Sequence, residues 1–175
     1  MAEQEFRVSR ESTVAAIRRY LGWRAAETVT RETRAVDAVR RFCRHRDINT
    51  LAVVDGENML VGILEVGRMV DDILANVLPE GYMRDSLNRE KMLEASFLLT
   101  VHETVGEMMV EPVAVTYDTT AEEAFLKLHS NQLRGVPIVD AEGRVLSYLG
   151  LLEFLTLWMP GAEDETRIHR EDEAE

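Results

Sequence analysis

Thr119-Thr120-Ala121-Glu122-Glu123-Ala124-Phe125, followed by Gly135-Val136-Pro137-Ile138-Val139-Asp140 and Val145-Leu146-Ser147-Tyr148-Leu149, decides the fold, because the chain carries an earlier version of the same text. Thr33, Ala35, Ala38, Val39 and Phe42 lead to Leu51-Ala52-Val53-Val54-Asp55 and then to Leu60-Val61-Gly62-Ile63-Leu64. Ala121 follows Ala35 by 86 positions and Asp140 follows Asp55 by 85, so the copies differ by one residue of length. A repeat fixes the structural unit before any motif is read.

Working outward, Ala35, Ala38, Val39 and Phe42 follow the i, i+3, i+4, i+7 rule of a helix with one apolar face, as do Ala121, Ala124, Phe125 and Leu128. The short apolar runs 51–54 and 136–139 predict buried strands. Turns follow at Asp55-Gly56-Glu57-Asn58 and Asp140-Ala141-Glu142-Gly143. Second strands are expected over 59–64 and 145–149. First strands are expected at Val29-Thr30 and at Val113-Ala114-Val115. Thr33 and Thr119 are the expected helix caps, Thr119 with Glu122 in a capping box. Helices over about 66–75 and over 151–158 close the units.

Each unit therefore reads strand, helix, strand, strand, helix. One such unit buries too little surface to stand alone. The expected fold is mixed α and β: two repeated β-α-β-β-α units packed with pseudo-twofold symmetry. An extra N-terminal helix spans residues 1–23, capped by Ser12 or Thr13 and stopped at Gly22. The units occupy 24–75 and 105–160. A linker (76–104) carries a helix from Asn88 to about Phe97, and 161–175 is an acidic tail expected to be disordered.

The net charge of −12 is unevenly spread. Residues 1–50 hold eleven Arg against seven acids, and 161–175 hold seven acids against two Arg. An acidic chain makes a poor nucleic-acid binder. Arg40, Arg41, Arg44 and Arg46 read as a basic patch or as a solvated helix face. No apolar run approaches the length of a membrane span, and the polar, acidic N-terminus is not that of a secretory signal. Cys43, the single cysteine, suits a reducing cytoplasm and is expected on a half-buried helix face next to Phe42. His45, His102, His129 and His169 lack metal-ligand spacing, so no metal is expected. No nucleophile stands paired with a base, so no catalytic residue is assigned and no enzyme is expected.

The segment Val105-Gly106-Glu107-Met108-Met109-Val110-Glu111-Pro112-Val113, with Asp118-Thr119-Thr120-Ala121-Glu122-Glu123-Ala124 and Gly135-Val136-Pro137-Ile138-Val139-Asp140, resembles a CBS domain, the module named after cystathionine beta-synthase. Residues 24–159 as a whole resemble a CBS pair, or Bateman module. In the first unit Leu51-Ala52 stands where the family prefers an apolar-Pro pair, and no Met-rich stretch precedes Val29. The resemblance implies a stand-alone regulatory module that needs no cofactor for chemistry. It implies a ligand such as AMP, ADP, ATP or S-adenosylmethionine in clefts between the units, and assembly into a homodimer. The expected dimer faces include Met69, Leu152, Leu155 and Trp158.

By the same resemblance one cleft is lined by Val113, Val115, Thr116, Arg134, Val136, Pro137, Tyr148, Gly150 and Glu153, and a weaker one by Val29, Thr30, Asn49, Thr50, Glu65 and Arg68. The family places a phosphate-binding hydroxyl and, three residues on, a ribose-binding Asp where the last strand meets the last helix. Here Gly150 and Glu153 take those places in the second unit, Glu65 and Arg68 in the first. Glu153 reads either as a ribose acceptor or as an acid favoured by the dipole of a first helical turn. Arg134 reads as a phosphate contact or as a solvent-facing loop residue. Glu65 repels phosphate and Arg68 cannot accept from ribose hydroxyls, so these two are expected to pair with each other. The alternative is an adaptor that has lost nucleotide binding and acts through its dimer faces and through Arg18, Arg19 and Arg24.

Overall fold

A computed structural model gives the structure of residues 9–69 and 104–158, with side chains through 154. The expected linker helix, the remainder of the helix over 66–75, and the acidic tail lie outside the described residues.

Two three-stranded sheets carry the repeat. In the first, β1 (Thr28–Val29) pairs parallel to β2 (Thr50–Val54), which pairs antiparallel to β3 (Leu60–Glu65). In the second, β4 (Val115–Thr116), β5 (Gly135–Val139) and β6 (Val145–Gly150) repeat that order and sense. The register shifts at Val53/Val54 in one sheet and at Ile138/Val139 in the other, at equivalent places. The hairpins match too. Asp55 Oδ1 accepts from the N–H of Glu57 and Met59, and Asp140 Oδ1 from that of Glu142 and Arg144. Both turns need one left-handed residue, supplied by Asn58 (φ 63°) and by Gly143 (φ 93°).

The helices are α1 (Val14–Leu21), α2 (Ala35–Arg44), a helical stretch beginning at 66–69, α3 (Val105–Met108), α4 (Ala121–Ser130) and α5 (Leu151–Trp158). Thr13 caps α1 and Gly22 ends it at φ 85°. Both expected threonine caps sit one residue early. Thr120, with Glu123, makes the capping box of α4, while Arg34 precedes α2 without a side-chain cap. Thr33 and Thr119 instead close the preceding turns, accepting from the N–H of Thr30 (3.0 Å) and Thr116 (2.9 Å). Cys43 is exposed rather than half-buried, because α2 turns Ala35, Ala38 and Phe42 inward and position 43 falls off that face.

The units exchange elements. The first N–H groups of α1, on Val14 and Ala15, donate to Thr119 O and Tyr117 O of the second unit, both at 2.9 Å. Those of α3, on Val105 and Gly106, donate to Thr33 O (2.8 Å) and Arg31 O (2.9 Å) of the first. Each helix thus finds partners for orphan donors on the opposite unit. Packing follows suit. Val14, Ile17 and Ile63 join the core of Val115, Ala124, Leu128, Val136 and Leu149, while Val105, Met108 and Tyr148 join that of Ala35, Ala38, Leu51, Val53 and Leu64. Full burial of such side chains contributes about 1.5–3 kcal/mol each, so neither unit's core is complete without the other's elements.

Candidate ligand cleft

In the second unit β6 runs directly into α5, with Gly150 as the last strand residue and Glu153 in the first helical turn. Glu153 Oε2 accepts from the Gly150 N–H at 2.8 Å. Its Oε1 accepts from Arg18 Nη2 at 2.8 Å and lies 3.5 Å from Arg24 Nη1. Arg18 also donates through Nη1 to the Tyr148 carbonyl at 2.9 Å. Arg24 rests over the Tyr148 ring, 5.3 Å from its centroid, and pairs with Asp47 of the first unit. Ser147 Oγ donates to Arg24 O, fixing the segment after α1 against β6. Arg18 is only 5% exposed and the Glu153 side chain 19%, so this ion pair stands largely out of water. Its charges also carry hydrogen bonds to the backbone, which a buried pair requires.

Tyr148 links the units. It is buried in the first unit's core, and its hydroxyl accepts from the Asn49 N–H at 3.3 Å. Burial pushes its phenol above the ordinary tyrosine value. The hydroxyl lies against Gly135, where a Cβ would stand 1.7 Å from it. Thr50 Oγ1 donates to Gly135 O at 3.0 Å from the other side.

The first unit's junction is built differently. Glu65 ends β3, is 5% exposed, and accepts through Oε2 from the backbone N–H of Arg68 at 3.0 Å. The expected Glu65–Arg68 contact therefore runs through the backbone, and the Arg68 side chain is exposed.

The other sequence candidates are dispersed. Val115 and Val136 are core residues, Pro137 is buried and Val113 half-buried, while Thr116 and Thr30 are exposed. Val29 and Thr50 are buried, and Asn49 O accepts from Val66 N–H at the start of the helix. Arg134 is exposed and its carbonyl accepts from Leu151 N–H. Its side chain lines an outer groove of about 390 Å³ with Phe125, Leu128, His129, Gln132, Leu133 and Leu151; Glu153 is not part of that groove. The structure thus joins Gly150, Glu153 and Tyr148, and adds Arg18 and Arg24, which the sequence reading gave to a partner surface. A signal for Arg18 was present. It lies four residues after Val14 and beside Ile17, on the inward face of α1, and an inward Arg requires a buried counter-charge.

A family model described as CBS domain matches residues 13–75 and 105–157, well over half of the chain. The chain belongs to the CBS domain family. Its pair arrangement also matches solved structures. A CBS domain-containing protein from Thermotoga maritima superposes with a TM-score of 0.64 at 23% identity, covering 85% of this chain and 94% of that one. The CBS domain pair of protein MJ0100, in complex with 5′-methylthioadenosine and S-adenosyl-L-methionine, gives 0.60 at 20% identity over 84% and 95%. CBSX2 in complex with AMP gives 0.56 at 22% identity over 82% and 93%. No protein in a search of curated sequences matches. Among the described residues of this CBS pair, no helix is long and apolar enough to cross a membrane.

Proposed function

We propose that this CBS pair is a regulatory module that holds an adenosine compound at the β6–α5 junction, with Glu153 as acceptor for the ribose hydroxyls. The observation that carries the reading is the setting of Glu153. One carboxylate in a first helical turn is surrounded by Arg18 of α1, Arg24 and the Gly150 N–H, with Asp47 of the first unit one ion pair further on. A ligand engaging that carboxylate perturbs three chain segments at once, which is how occupancy becomes a change in packing without chemistry. AMP in one solved relative, and S-adenosyl-L-methionine with 5′-methylthioadenosine in another, support the ligand class.

Thermal unfolding with AMP, ADP, ATP and S-adenosylmethionine tests this. A ligand at a hundred times its dissociation constant adds about 2.7 kcal/mol, a rise of roughly 5–10 °C in a chain of this size. Glu153→Ala should remove the rise. No shift with any of the four compounds defeats the reading, and so does turnover of a nucleotide by the purified protein.

Glu65 favours a second reading for the first junction. A buried carboxylate that already accepts from the helix N-terminus repels phosphate, so that side serves structure or partner contact. A partner recovered by pull-down, and retained after nucleotide removal, would support the adaptor reading. Self-association belongs to the same proposal. Leu126 (57% exposed) and Leu152 (69%) stand on α4 and α5 as large exposed apolar residues, although Met69 is buried and Leu155 and Trp158 lie beyond the described side chains. Light scattering that gives a monomer at micromolar concentration would remove the dimer. The expected site of action is the cytoplasm, and fractionation of the native cells checks it.

A further inference from the structure

Arg18 is charged and almost fully buried. Two of its donors are used, by Tyr148 O and Glu153 Oε1, but its Nε is buried without a hydrogen-bond partner. Arg24 approaches the same oxygen of Glu153, and its other ionic partner, Asp47, is 70% exposed. One carboxylate oxygen therefore serves two guanidiniums, while the second oxygen is turned to the Gly150 N–H. A buried cation stripped of its counter-charge is strongly unfavourable. Whatever draws Glu153 away must put another anion in its place.

From this we infer that Arg18 and Arg24 form a latent anion seat. Glu153 fills it in this structure, and the phosphate of a bound ligand fills it once the ligand's hydroxyls engage Glu153. The inference rests on the reading of Glu153 as ribose acceptor and names the ligand class more narrowly, as a nucleoside that carries an anionic group. Guanidinium forks match phosphate oxygens in planar, charge-assisted pairs. A phosphate also offers more acceptors than the single oxygen now shared, with Arg18 Nε still lacking one. A bare nucleoside would take Glu153 and leave Arg18 buried and uncompensated, so Arg18 and Arg24 select against it.

The seat is testable without any nucleoside. Glu153→Gln removes the resident charge and keeps the shape. Its unfolding midpoint should rise by several degrees in inorganic phosphate against chloride at equal ionic strength. The unsubstituted protein should move far less, and Glu153→Gln combined with Arg18→Met should lose the response. Equal responses of Glu153→Gln and the unsubstituted protein overturn the seat. Glu153→Asp, which withdraws the carboxylate by one methylene, takes its place if the Gln variant does not fold. The second arm titrates the unsubstituted protein with AMP and with adenosine. AMP should bind at least about tenfold tighter, and Arg24→Met should narrow that gap. Equal affinities overturn the seat and leave the ribose reading standing. Binding of neither overturns the ribose reading, and the phosphate arm then decides the seat alone.

Discussion

The two strand–helix junctions occupy equivalent positions, yet each keeps the opposite half of one capping device. At Glu65 the side chain before the helix accepts from the N–H three residues on. At Glu153 the side chain three residues in reaches back to the N–H before the helix. A full capping box makes both bonds at once. The repeat has conserved the backbone need, orphan N–H groups at a helix start, while the residue that answers it has moved. The second solution leaves Glu153 Oε1 for a partner outside the junction, and that oxygen holds α1 through Arg18.

The largest expected effect breaks this difference. Glu153→Ala strands Arg18 in the interior and should cost about 3 kcal/mol, the low end for unpairing a buried ion pair. Arg18→Met should cost less, since Glu153 keeps Arg24, the Gly150 N–H and some solvent. The double variant should recover part of the sum, and a double-mutant cycle by urea unfolding measures the coupling. Glu65→Ala loses a cap alone and should cost about 1 kcal/mol. Equal costs at the two junctions would show that the Arg18 pair adds nothing.

A second contrast lies where β3 and β6 each send a side chain, Ile63 and Tyr148, into the other unit's core. Tyr148 stands where Ile63 stands in the first unit, and Gly135 where Thr50 stands. The larger side chain is matched by the smaller residue beside its hydroxyl, as close packing requires. Gly135→Ala should cost about 2 kcal/mol as an overpacked site, because the added methyl overlaps the Tyr148 hydroxyl. Combining it with Tyr148→Ile, the first unit's own choice, should relieve the overlap. Additive losses would mean that the two positions do not compensate each other.

Tyr148→Phe isolates the hydroxyl bonded to Asn49 N–H and should cost about 1 kcal/mol. It carries a pH signature as well. Burial raises the phenol's pKa in the fold, so the unfolded chain loses its proton first on going alkaline. The stabilisation is complete below the ordinary tyrosine value, near 10, and is lost as pH rises through the folded value. Unfolding midpoints from neutral to alkaline pH should fall more steeply for the unsubstituted protein than for Tyr148→Phe; parallel curves would locate the alkaline loss elsewhere.

The fold was legible because backbone pattern repeats. Apolar spacing placed α2 and α4, the Asp-led turns placed both hairpins, and the 151–158 helix stands as read. Strand ends moved by a residue or two, where pairing rather than propensity sets the limit. The α4 cap was misread by one residue because adjacent threonines, Thr119 and Thr120, satisfy the same pattern; only the backbone shows which closes the turn and which starts the helix. Much less of the site could be read. Glu153 was singled out by the resemblance to the family's strand–helix motif, but its partners Arg18 and Arg24 lie more than a hundred residues earlier in sequence. Charge on an amphipathic helix points to solvent by default, and only the burial of Arg18 reverses that reading.

The caps also give the smallest and cleanest comparison. Thr120 precedes α4 with its hydroxyl accepting from Glu123 N–H, and Glu123 returns the bond to Thr120 N–H. The Thr120 N–H first, and then the Thr120 hydroxyl, which also donates to Glu123 Oε2 at 3.0 Å, hold the Glu123 carboxyl below its usual range, so its contribution is present above the ordinary carboxylate value and fades as pH falls through the folded one. Arg34 holds the matching place before α2 in the same extended conformation, φ −66° and ψ 140° against −74° and 158°, and caps nothing. The backbone is thus ready for a cap that the sequence does not supply. Thr120→Ala should cost about 1 kcal/mol, and Arg34→Thr should gain about half that. In a chain of this size these amount to roughly 2–4 °C down and 1–2 °C up by calorimetry. A loss at Thr120 with no gain at Arg34 would show that α2 owes its start to the contact with α3, through Val105 N–H on Thr33 O, and not to its own cap.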